Sequence, residues 1–263
     1  MTNIFVIILN FNNQKDIIPC LKSLIKAYSK INIIIVDNAS SDGSLKSIIS
    51  LDHEGLQIIK NQKNFGFSKA ANKGFKLALK QGAQDVLLLN PDTLPGRGFL
   101  ESLLANPAEI VSPILKFQRD GQWVYDFGGK VNFWTGRATH NEMDNREVKI
   151  NNLKPIDYVG GACMLIRKKV FEKIGFLNEK YFLFFEDPDF CLRAKKAGFK
   201  VALEPKSMMI HNLSEGKNKP FYYFYHLLRS NFIFINTWIP FYRRPVAYIY
   251  LWLLGLKMLL NRL

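Results

Sequence analysis

The chain has 263 residues, of which 48% are hydrophobic and 22% charged, a balance that is typical of a folded protein and argues against disorder. Its 36 basic and 22 acidic side chains give a net charge of +14, which favours a polyanionic partner or simply a basic surface. The three cysteines are too widely spaced for a zinc motif or a disulfide framework, and we expect reduced, mostly buried thiols in a cytoplasmic protein. They are Cys20, Cys163 and Cys191.

The first half of the chain alternates strand and helix signals. Four apolar runs predict buried strands: Ile4–Leu9, Ile31–Val36, Leu56–Ile59 and Val86–Leu89. The first run lacks a preceding basic stretch, which favours a strand over a signal peptide. Apolar residues recur at helical spacing between these runs, and the second helix is predicted to be capped by Ser68. The alternation predicts an α/β domain with a mostly parallel sheet, whose ligands bind beyond the carboxyl ends of the strands.

The second half is less regular. Residues 116–157 combine glycines, scattered aromatics and a polar stretch, and we interpret them as a hairpin-rich insertion. A small-residue turn then leads into a strand within Tyr158–Ile166. A helix is predicted from Asp187 to Ala197, where Gly198 ends it. The α/β domain is therefore expected to span residues 1–220.

The C-terminal segment, residues 221–263, has a different composition. It opens with aromatic residues, carries arginines among apolar side chains, and is almost entirely apolar from Val246 to Leu260. That run is shorter than the roughly 20 residues of a membrane-spanning helix. We interpret the segment as helical and lying at an anionic membrane surface. A helix buried against the domain, or against a second copy in a homodimer, is the alternative.

Polar residues follow the predicted strands where a ligand site is expected. The stretches Asn10–Asn13, Asp37–Asp42 and Asn90–Asp92 come directly after three strands, and Asn64–Phe67 precedes a helix. Each stretch alone has a conformational explanation, because Asn, Asp and Gly are common in loops. Asp42, for example, is equally well explained as a helix cap. Their succession along one sheet nevertheless predicts a binding site.

With these motifs the sequence resembles the inverting family-two glycosyltransferases, which have the GT-A fold, and within them the rhamnosyltransferase-like branch. The resemblance covers about residues 4–212. The matching pieces are Ile8–Asn12, Val36–Ser44, Asn61–Phe67, Leu88–Asp92, Gly160–Arg167 and Glu186–Arg193. The order and spacing of these motifs carry the resemblance, since no single motif is specific.

The resemblance implies a nucleotide-sugar site. Asp37 would accept a hydrogen bond from the imide N–H of uracil or thymine, so the donor is expected to be a UDP- or dTDP-sugar. The helix after Gly66 would face the phosphates. The implied nucleotide-binding residues are Asn10, Asn12, Asp37, Asn38, Asn64, Gly66 and Asn90.

The resemblance also implies Mg²⁺ or Mn²⁺, held by Asp92 and by His211. Such an ion takes most of its oxygen ligands from phosphate and water. Many relatives carry two aspartates around one residue, whereas this chain has Asn90-Pro91-Asp92, so Asn90 brings an oxygen but no charge. The other three histidines, His53, His140 and His226, are interpreted as surface residues.

Asp187 is implied as the general base, which takes the proton from the acceptor hydroxyl. It stands among three carboxylates at the start of a helix, where capping and dipole compensation offer a purely structural explanation. Asp189 and Arg193 are spaced i, i+4 and can pair. The residues expected to support the base or the acceptor are Glu186, Asp189, Arg193, Gly160 and Gly161.

The expected function is metal-dependent transfer of a sugar, by branch resemblance L-rhamnose, to an acceptor hydroxyl. The acceptor is expected to be a saccharide, carried on a polyprenyl diphosphate at the inner face of the cytoplasmic membrane, in cell-surface polysaccharide synthesis. The alternatives are a nucleotidyltransferase and a non-catalytic nucleotide-sugar binding protein. Nucleic acid would explain the charge, but no motif for it is found.

Overall fold

The structure, a computed structural model, describes residues 3–144, 155–212 and 221–260. Within these ranges ten strands form one sheet. The strands are β1 (Ile4–Asn10), β2 (Asn32–Asp37), β3 (Leu56–Lys60), β4 (Asp85–Leu89), β5 (Thr93–Leu94), β6 (Ile110–Arg119), β7 (Gln122–Asn132), β8 (Arg137–Asp144), β9 (Cys163–Arg167) and β10 (Val201–His211). The α-helices are α1 (Gln14–Ala27), α2 (Ser44–Ile49), α3 (Phe67–Lys80), α4 (Phe99–Ala105), α5 (Lys168–Ile174), α6 (Glu186–Lys196), α7 (Phe221–Trp238) and α8 (Arg244–Leu260).

The sheet has the order β3-β2-β1-β4-β9-β6-β10-β5, with β7 and β8 extending from β6. The first four strands pair in parallel, and β9 joins them antiparallel to β4. Each of the four predicted strands lies within one residue of an observed strand. The parallel pairing places the carboxyl ends of β1, β2 and β4 at one edge of the sheet, and the predicted α/β fold is confirmed.

Two hydrophobic cores cover the two faces of the sheet. Side chains of α3, α5, α6 and α7 pack on one face, and side chains of α1, α2 and α4 pack on the other. All seven residues of β1 are buried, because helices cover this strand on both sides. The three cysteines are buried, as expected.

The start of α3 differs from the prediction. The helix begins at Phe67 after Gly66, and Ser68 lies inside its first turn, fully buried, with no hydrogen bond from its hydroxyl. The backbone N–H of Phe67 donates instead to the carbonyl of Phe182 at 2.6 Å. A carbonyl from a distant segment therefore accepts the hydrogen bond of the first N–H group of α3, and the predicted Ser68 cap is wrong.

The middle of the chain forms an antiparallel extension of the sheet. Strands β6 and β7 pair over Leu115–Arg119, and β7 pairs with β8 over most of their lengths. Residues 145–154 of the predicted insertion lie outside the described ranges. The extension brings β8 to the carboxyl edge, since His140 and Glu142 of β8 line one cavity with Asn90.

The two C-terminal helices are packed differently. α7 contributes Phe234 and Ile235 to the interior, and its His226 is only 7% exposed and stacks on Phe182 with ring centres 4.3 Å apart. The interpretation of His226 as a surface residue is therefore wrong. α8 buries only Ala247. None of the helices in the described ranges has the length and hydrophobicity needed to cross a bilayer.

Candidate active site

A buried hydrogen-bond network joins the carboxyl ends of β1 and β2. The amide nitrogen of Asn10 lies 2.7 Å from Asp37 Oδ1, and 3.0 and 2.8 Å from the hydroxyls of Ser40 and Ser44. The Asp37 side chain, in a residue only 1% exposed, also accepts a hydrogen bond from the Ser40 N–H at 3.1 Å. The parallel register pairs Asn10 with Asp37, so the two predicted residues lie together.

The loop after β2 is tied back to the end of β1. Asn12 Oδ1 accepts a hydrogen bond from the Ser41 N–H at 2.8 Å. Asp42 accepts hydrogen bonds from the N–H groups of Gln14 and Ser44 at 2.8 and 3.0 Å. These bonds satisfy the first N–H groups of α1 and α2, so Asp42 has the capping role that the sequence left open.

The loop before α3 is held by Asn38. Its amide donates to the Gly66 carbonyl at 3.1 Å and accepts from the amide of Asn61 at 2.9 Å. Asn64 accepts from the Gly66 N–H at 2.8 Å. Gly66 has a φ of 82°, and a Cβ there would lie 2.5 Å from the carbonyl oxygen of Phe182. The absence of a side chain at Gly66 therefore allows the backbone of Phe182 to approach closely.

Asp92 and His211 meet because the short strand β5 pairs with the end of β10, with His211 opposite Thr93. The Nε2 atom of His211 lies 3.2 Å from Asp92 Oδ1. Both atoms are buried, and neither makes a hydrogen bond of good geometry to a described residue. Buried polar atoms without partners cost free energy unless a ligand satisfies them.

The two facing atoms fit a divalent metal ion. A carboxylate oxygen and a neutral imidazole nitrogen are ligands that Mn²⁺ accepts, and the carboxylate also suits Mg²⁺. No cluster of three or more His, Cys, Asp or Glu side chains suited to a metal occurs among the described residues. An ion at Asp92 and His211 would therefore take its other ligands from phosphate oxygens and water, in line with the expectation from the resemblance.

A strained turn leads into α6. Phe184 and Phe185 both have positive φ, 69° and 67°, a conformation that costs about 1–3 kcal/mol for each bulky residue. Phe185 packs on Phe234, and Phe184 packs edge-on against Tyr223. These contacts hold the turn in place, and strain of this kind occurs at functional sites.

Asp187 and Glu186 follow this turn and line the same cavity. Asp187 Oδ2 accepts a hydrogen bond from the Gly161 N–H at 3.0 Å, and Glu186 Oε2 is buried without a partner among the described residues. Burial raises the pKa of Asp187, against the opposing charge of His140 and the Gly161 hydrogen bond. Burial and the charge of Asp187 raise the pKa of Glu186 well above its usual range. The hydrogen bond from the Gly161 N–H favours the charged form of Asp187, whereas Glu186 Oε2 has no such donor among the described residues.

Asp189 has a structural environment instead. It is fully buried, its Oδ2 pairs with Arg193 Nε at 2.8 Å, and its Oδ1 accepts a hydrogen bond from Trp238 Nε1 at 2.9 Å. Arg193 also donates to the carbonyls of Ile174 and Phe176. The predicted i, i+4 pair is confirmed within α6, and the hydrogen bond from Trp238 joins α6 to α7.

The cavity between α6 and the β7–β8 hairpin has a volume of about 290 Å³. Of the predicted residues, it is lined by Asn90, Gly160, Gly161, Glu186, Asp187 and His211. The predicted nucleotide residues on β1, β2 and the loop before α3 do not line it. The structure therefore divides the predicted residues between this cavity and a separate group at the ends of β1 and β2.

His140 is a cavity residue that sequence reasoning assigned to the surface. Its Nδ1 atom lies 2.8 Å from Asp126 Oδ2, and its side chain is 37% exposed at the cavity wall. Burial by itself would lower the pKa of His140, but the hydrogen bond to Asp126 and the charges of Asp126, Asp187 and Glu142 outweigh it and raise the pKa to about 9. His140 is exposed, as the interpretation as a surface residue expects, and it also lines the cavity, because the tertiary fold brings β8 to α6.

The fold and this site define a glycosyltransferase of the GT-A type. Residues 5–175 match Glycosyl transferase family 2, and the chain belongs to that family. It is therefore an enzyme that transfers sugars.

Two relatives illustrate the family's range. A low-salt glycan biosynthesis hexosyltransferase from Haloferax volcanii is 29% identical over 90% of this chain and 76% of its own length. An N-acetylglucosaminyl-diphospho-decaprenol L-rhamnosyltransferase from Mycobacterium tuberculosis is 23% identical over 69% of this chain. This chain spans 66% of the mycobacterial protein.

Solved structures show the same fold. GalNAc-T7, crystallised with UDP, GalNAc and Mn²⁺, superposes with a TM-score of 0.69 at 16% identity, over 89% of this chain and 48% of its own. A mannosyltransferase from Pyrobaculum calidifontis, in complex with GDP-Man and Mn²⁺, gives a TM-score of 0.59 at 17% identity, over 98% of this chain and 72% of its own. At this identity the likeness concerns the fold alone.

Proposed function

We propose that the chain is a metal-dependent, inverting glycosyltransferase that moves a sugar from a UDP- or dTDP-sugar to an acceptor hydroxyl. The observation that carries the proposal is the composition of one cavity. Asp187, a partly buried carboxylate that a backbone N–H orients, lines the same cavity as His211, whose Nε2 faces Asp92. A base and a metal-binding pair are the two groups that such a transfer needs.

In the proposed reaction, Asp187 accepts the proton of the acceptor hydroxyl as that oxygen attacks the anomeric carbon. A single displacement of this kind inverts the anomeric configuration. The Gly161 N–H holds the carboxylate in place, and burial increases its basicity. Asp92 and His211 would hold the ion, which when bound stabilises the charge of the departing diphosphate.

The proposed donor follows from the group at the ends of β1 and β2. Asp37 and Asn38 lie at the carboxyl edge of the sheet, where nucleotides bind in open α/β folds. The relative from Mycobacterium tuberculosis is an L-rhamnosyltransferase, and a further relative from Shigella flexneri, 24% identical, is a dTDP-rhamnosyl transferase. We therefore place dTDP-L-rhamnose first among the donors, ahead of UDP-hexoses.

The proposed acceptor is a saccharide on a polyprenyl diphosphate, at the inner face of the cytoplasmic membrane, in cell-surface polysaccharide synthesis. The name of the mycobacterial relative specifies such a diphospho-decaprenol acceptor. In this chain α8 exposes large apolar side chains, among them Ile249, Trp252 and Leu253, at 61%, 66% and 50%. Exposed aromatic and aliphatic side chains beside basic residues suit the surface of an anionic membrane.

The reaction is tested by screening nucleotide-sugar donors for nucleotide release, with and without Mn²⁺ and with N-acetylglucosaminyl diphosphate on a short polyprenyl chain as the first acceptor. We expect acceptor-dependent release from a dTDP- or UDP-sugar that EDTA abolishes. Full activity in EDTA would contradict metal dependence, and no release from any donor would contradict the proposed function.

Asp37→Ala is expected to weaken the binding of both UDP and dTDP by about 1.5–3 kcal/mol, because it removes a charged hydrogen-bond acceptor. The matched control is Asp42→Ala. It removes a carboxylate from the same loop, and this carboxylate caps α1 and α2. Isothermal calorimetry measures the affinities, and the unfolding temperature is recorded because Asp37 also holds Asn10. Unchanged affinity in a folded Asp37 variant would contradict the role.

Membrane binding is tested on α8 by substitution, because truncation before α7 would remove Phe234 and Trp238 from the core. The double variant Trp252→Ser, Leu256→Ser is expected to weaken binding to anionic liposomes at least about tenfold, since each such side chain contributes about 1.5–3 kcal/mol when fully buried. Ile49→Ser, which changes an exposed residue on α2, is the control. If the double variant instead loses a dimer on gel filtration, α8 is an interface between copies.

A further inference from the structure

A β-bulge on the β7–β8 hairpin directs a side chain toward the catalytic cavity. The strands pair Asp126 with Glu142, and then Gly129 with His140, so one extra residue of β7 lies between the two pairs. Gly128 takes a φ of 71° in this bulge, and its N–H donates to Asp126 Oδ1 at 2.9 Å. Bulges next to active sites re-aim side chains, and this one sets Asp126 beside the ring of His140.

The ring of His140 is fixed on several sides. Its Nδ1 atom is committed to Asp126 Oδ2 at 2.8 Å, and its edge meets the buried ring of Tyr158 with centres 5.3 Å apart. Tyr158 can lie there only because Gly129 has no side chain, since a Cβ at Gly129 would be 2.1 Å from the tyrosine ring. A Cβ at Gly160 would lie 3.2 Å from His140 Cε1. The structure thus leaves Nε2 as the ring atom available to a ligand.

This ring lies close to the base. The position that a Cβ would take on Gly160 is 3.2 Å from His140 Cε1 and 3.9 Å from Asp187 Oδ2, so His140 and Asp187 flank the same glycine. Glu186, 6% exposed, lines the same cavity, and its buried Oε2 has no hydrogen-bond partner among the described residues. A second polar group without a protein partner therefore points to a polar ligand at this place.

Besides its polar residues, among them Asn90, Glu142 and His211, the cavity has an apolar part of its wall. This part includes Leu115, Phe117, Phe184 and Tyr223. A pyranose ring has an apolar C–H face and an edge of hydroxyl groups. An aromatic and aliphatic wall combined with a few fixed polar groups is a lining that suits such a ring.

We propose that Asp126 and His140 form the polar side of an acceptor-sugar subsite, in which the Nε2–H of His140 donates a hydrogen bond to a hydroxyl next to the attacking one. This proposal rests on the proposed function. Asp126 orients the ring, so that Nε2 faces the cavity. A raised pKa keeps both ring nitrogens protonated near neutral pH, so that Nε2 is a charged donor. The ligand class is a saccharide with adjacent hydroxyl groups.

The variant His140→Asn tests the proposal, because the asparagine amide can still donate to Asp126 while the Nε2 edge of the ring is removed. With the acceptor that the wild type uses best in the donor screen, we expect kcat/KM for the acceptor to fall about 10–100-fold, the loss expected for a charged hydrogen bond. The KM for the donor should stay within about twofold, since the proposed hydrogen bond is made to the acceptor sugar.

Thr139→Val is the matched control, a near-isosteric change on the same strand at a residue that does not line the cavity, and it should leave both constants within about twofold. Asp126→Asn keeps the side chain's size but removes its charge, and a smaller acceptor defect is expected. Unchanged kcat/KM for the acceptor in His140→Asn, or an equal rise in the KM for the donor, would overturn the proposal. If the wild type does not turn over any donor, the proposed function fails. That result is distinct from an effect of His140→Asn on an active enzyme, which tests the subsite.

Discussion

Asp187→Asn is expected to lower kcat about 10²–10⁴-fold, with little change in donor affinity, because the amide is nearly isosteric with the carboxylate but cannot accept a proton. The variant can still accept the hydrogen bond from Gly161, so the cavity should keep its shape. In the wild type, kcat should fall as the pH drops through the raised pKa of Asp187, since the protonated carboxyl is no base. That acid limb should be absent from the residual activity of the variant. Steady-state kinetics across pH, with the acceptor from the donor screen, measure both effects.

The same change at Asp189 separates catalysis from packing. Asp189→Asn removes a fully buried charge from its pair with Arg193, so we expect the loss to appear in the unfolding temperature. An Asp187→Asn variant that keeps the wild-type kcat would falsify the assignment of Asp187 as the base. Because Asp189 is committed to Arg193 and Trp238, Glu186 would then be the next residue to examine.

Asp92→Ala is expected to abolish metal-dependent turnover, a loss of about 10²-fold or more, because a metal supplies several kcal/mol of charge stabilisation in the transition state. The fold should persist, since the strand pairing of β5 and β10 uses backbone groups. Calorimetric titration with Mn²⁺ gives a readout independent of activity, and its binding should be lost in Asp92→Ala and weakened in His211→Ala.

The matched control for the metal site is Asp52→Ala, which removes an exposed carboxylate from a loop. It should leave both Mn²⁺ binding and turnover unchanged. Mn²⁺ binding that survives in Asp92→Ala would contradict the assigned ligand. Wild-type Mn²⁺ binding with turnover that EDTA does not affect would keep the site but remove its role in the reaction.

Local patterns predicted much of the fold. The four apolar runs at the start of the chain correspond to β1–β4 within one residue, because buried parallel strands need continuous apolar side chains. The pair of Asp189 and Arg193 could be anticipated from helical spacing. Ser68, by contrast, is a residue type that favours helix caps, but it is buried inside the first turn of α3. The Phe182 carbonyl accepts the hydrogen bond from the first N–H of this helix instead. The competing partner came from more than a hundred residues away along the chain.

The candidate site was predictable only in part. The resemblance to the family-two glycosyltransferases singled out Asp92 and His211, and the structure sets them face to face. His140 gave no usable signal, because nothing near it in the sequence marks a site and its partner Asp126 lies across a bulge. The positive φ of Phe184 and Phe185 was equally hidden, since bulky residues disfavour that conformation and only tertiary packing holds it.

The amino-acid sequence by itself determined the order of strands and helices, the carboxyl edge as the place of the site, and the residue types that carry the chemistry, because these follow from local periodicity and from the rule for ligands in α/β sheets. Only the tertiary structure decided that Glu186 shares the cavity with Asp187, and that the pair of Asp189 and Arg193 is buried against Trp238. It also decided that β8 supplies a histidine to the wall opposite α6. Both depend on contacts between residues that are distant in the chain, and such contacts leave no periodic trace in the sequence.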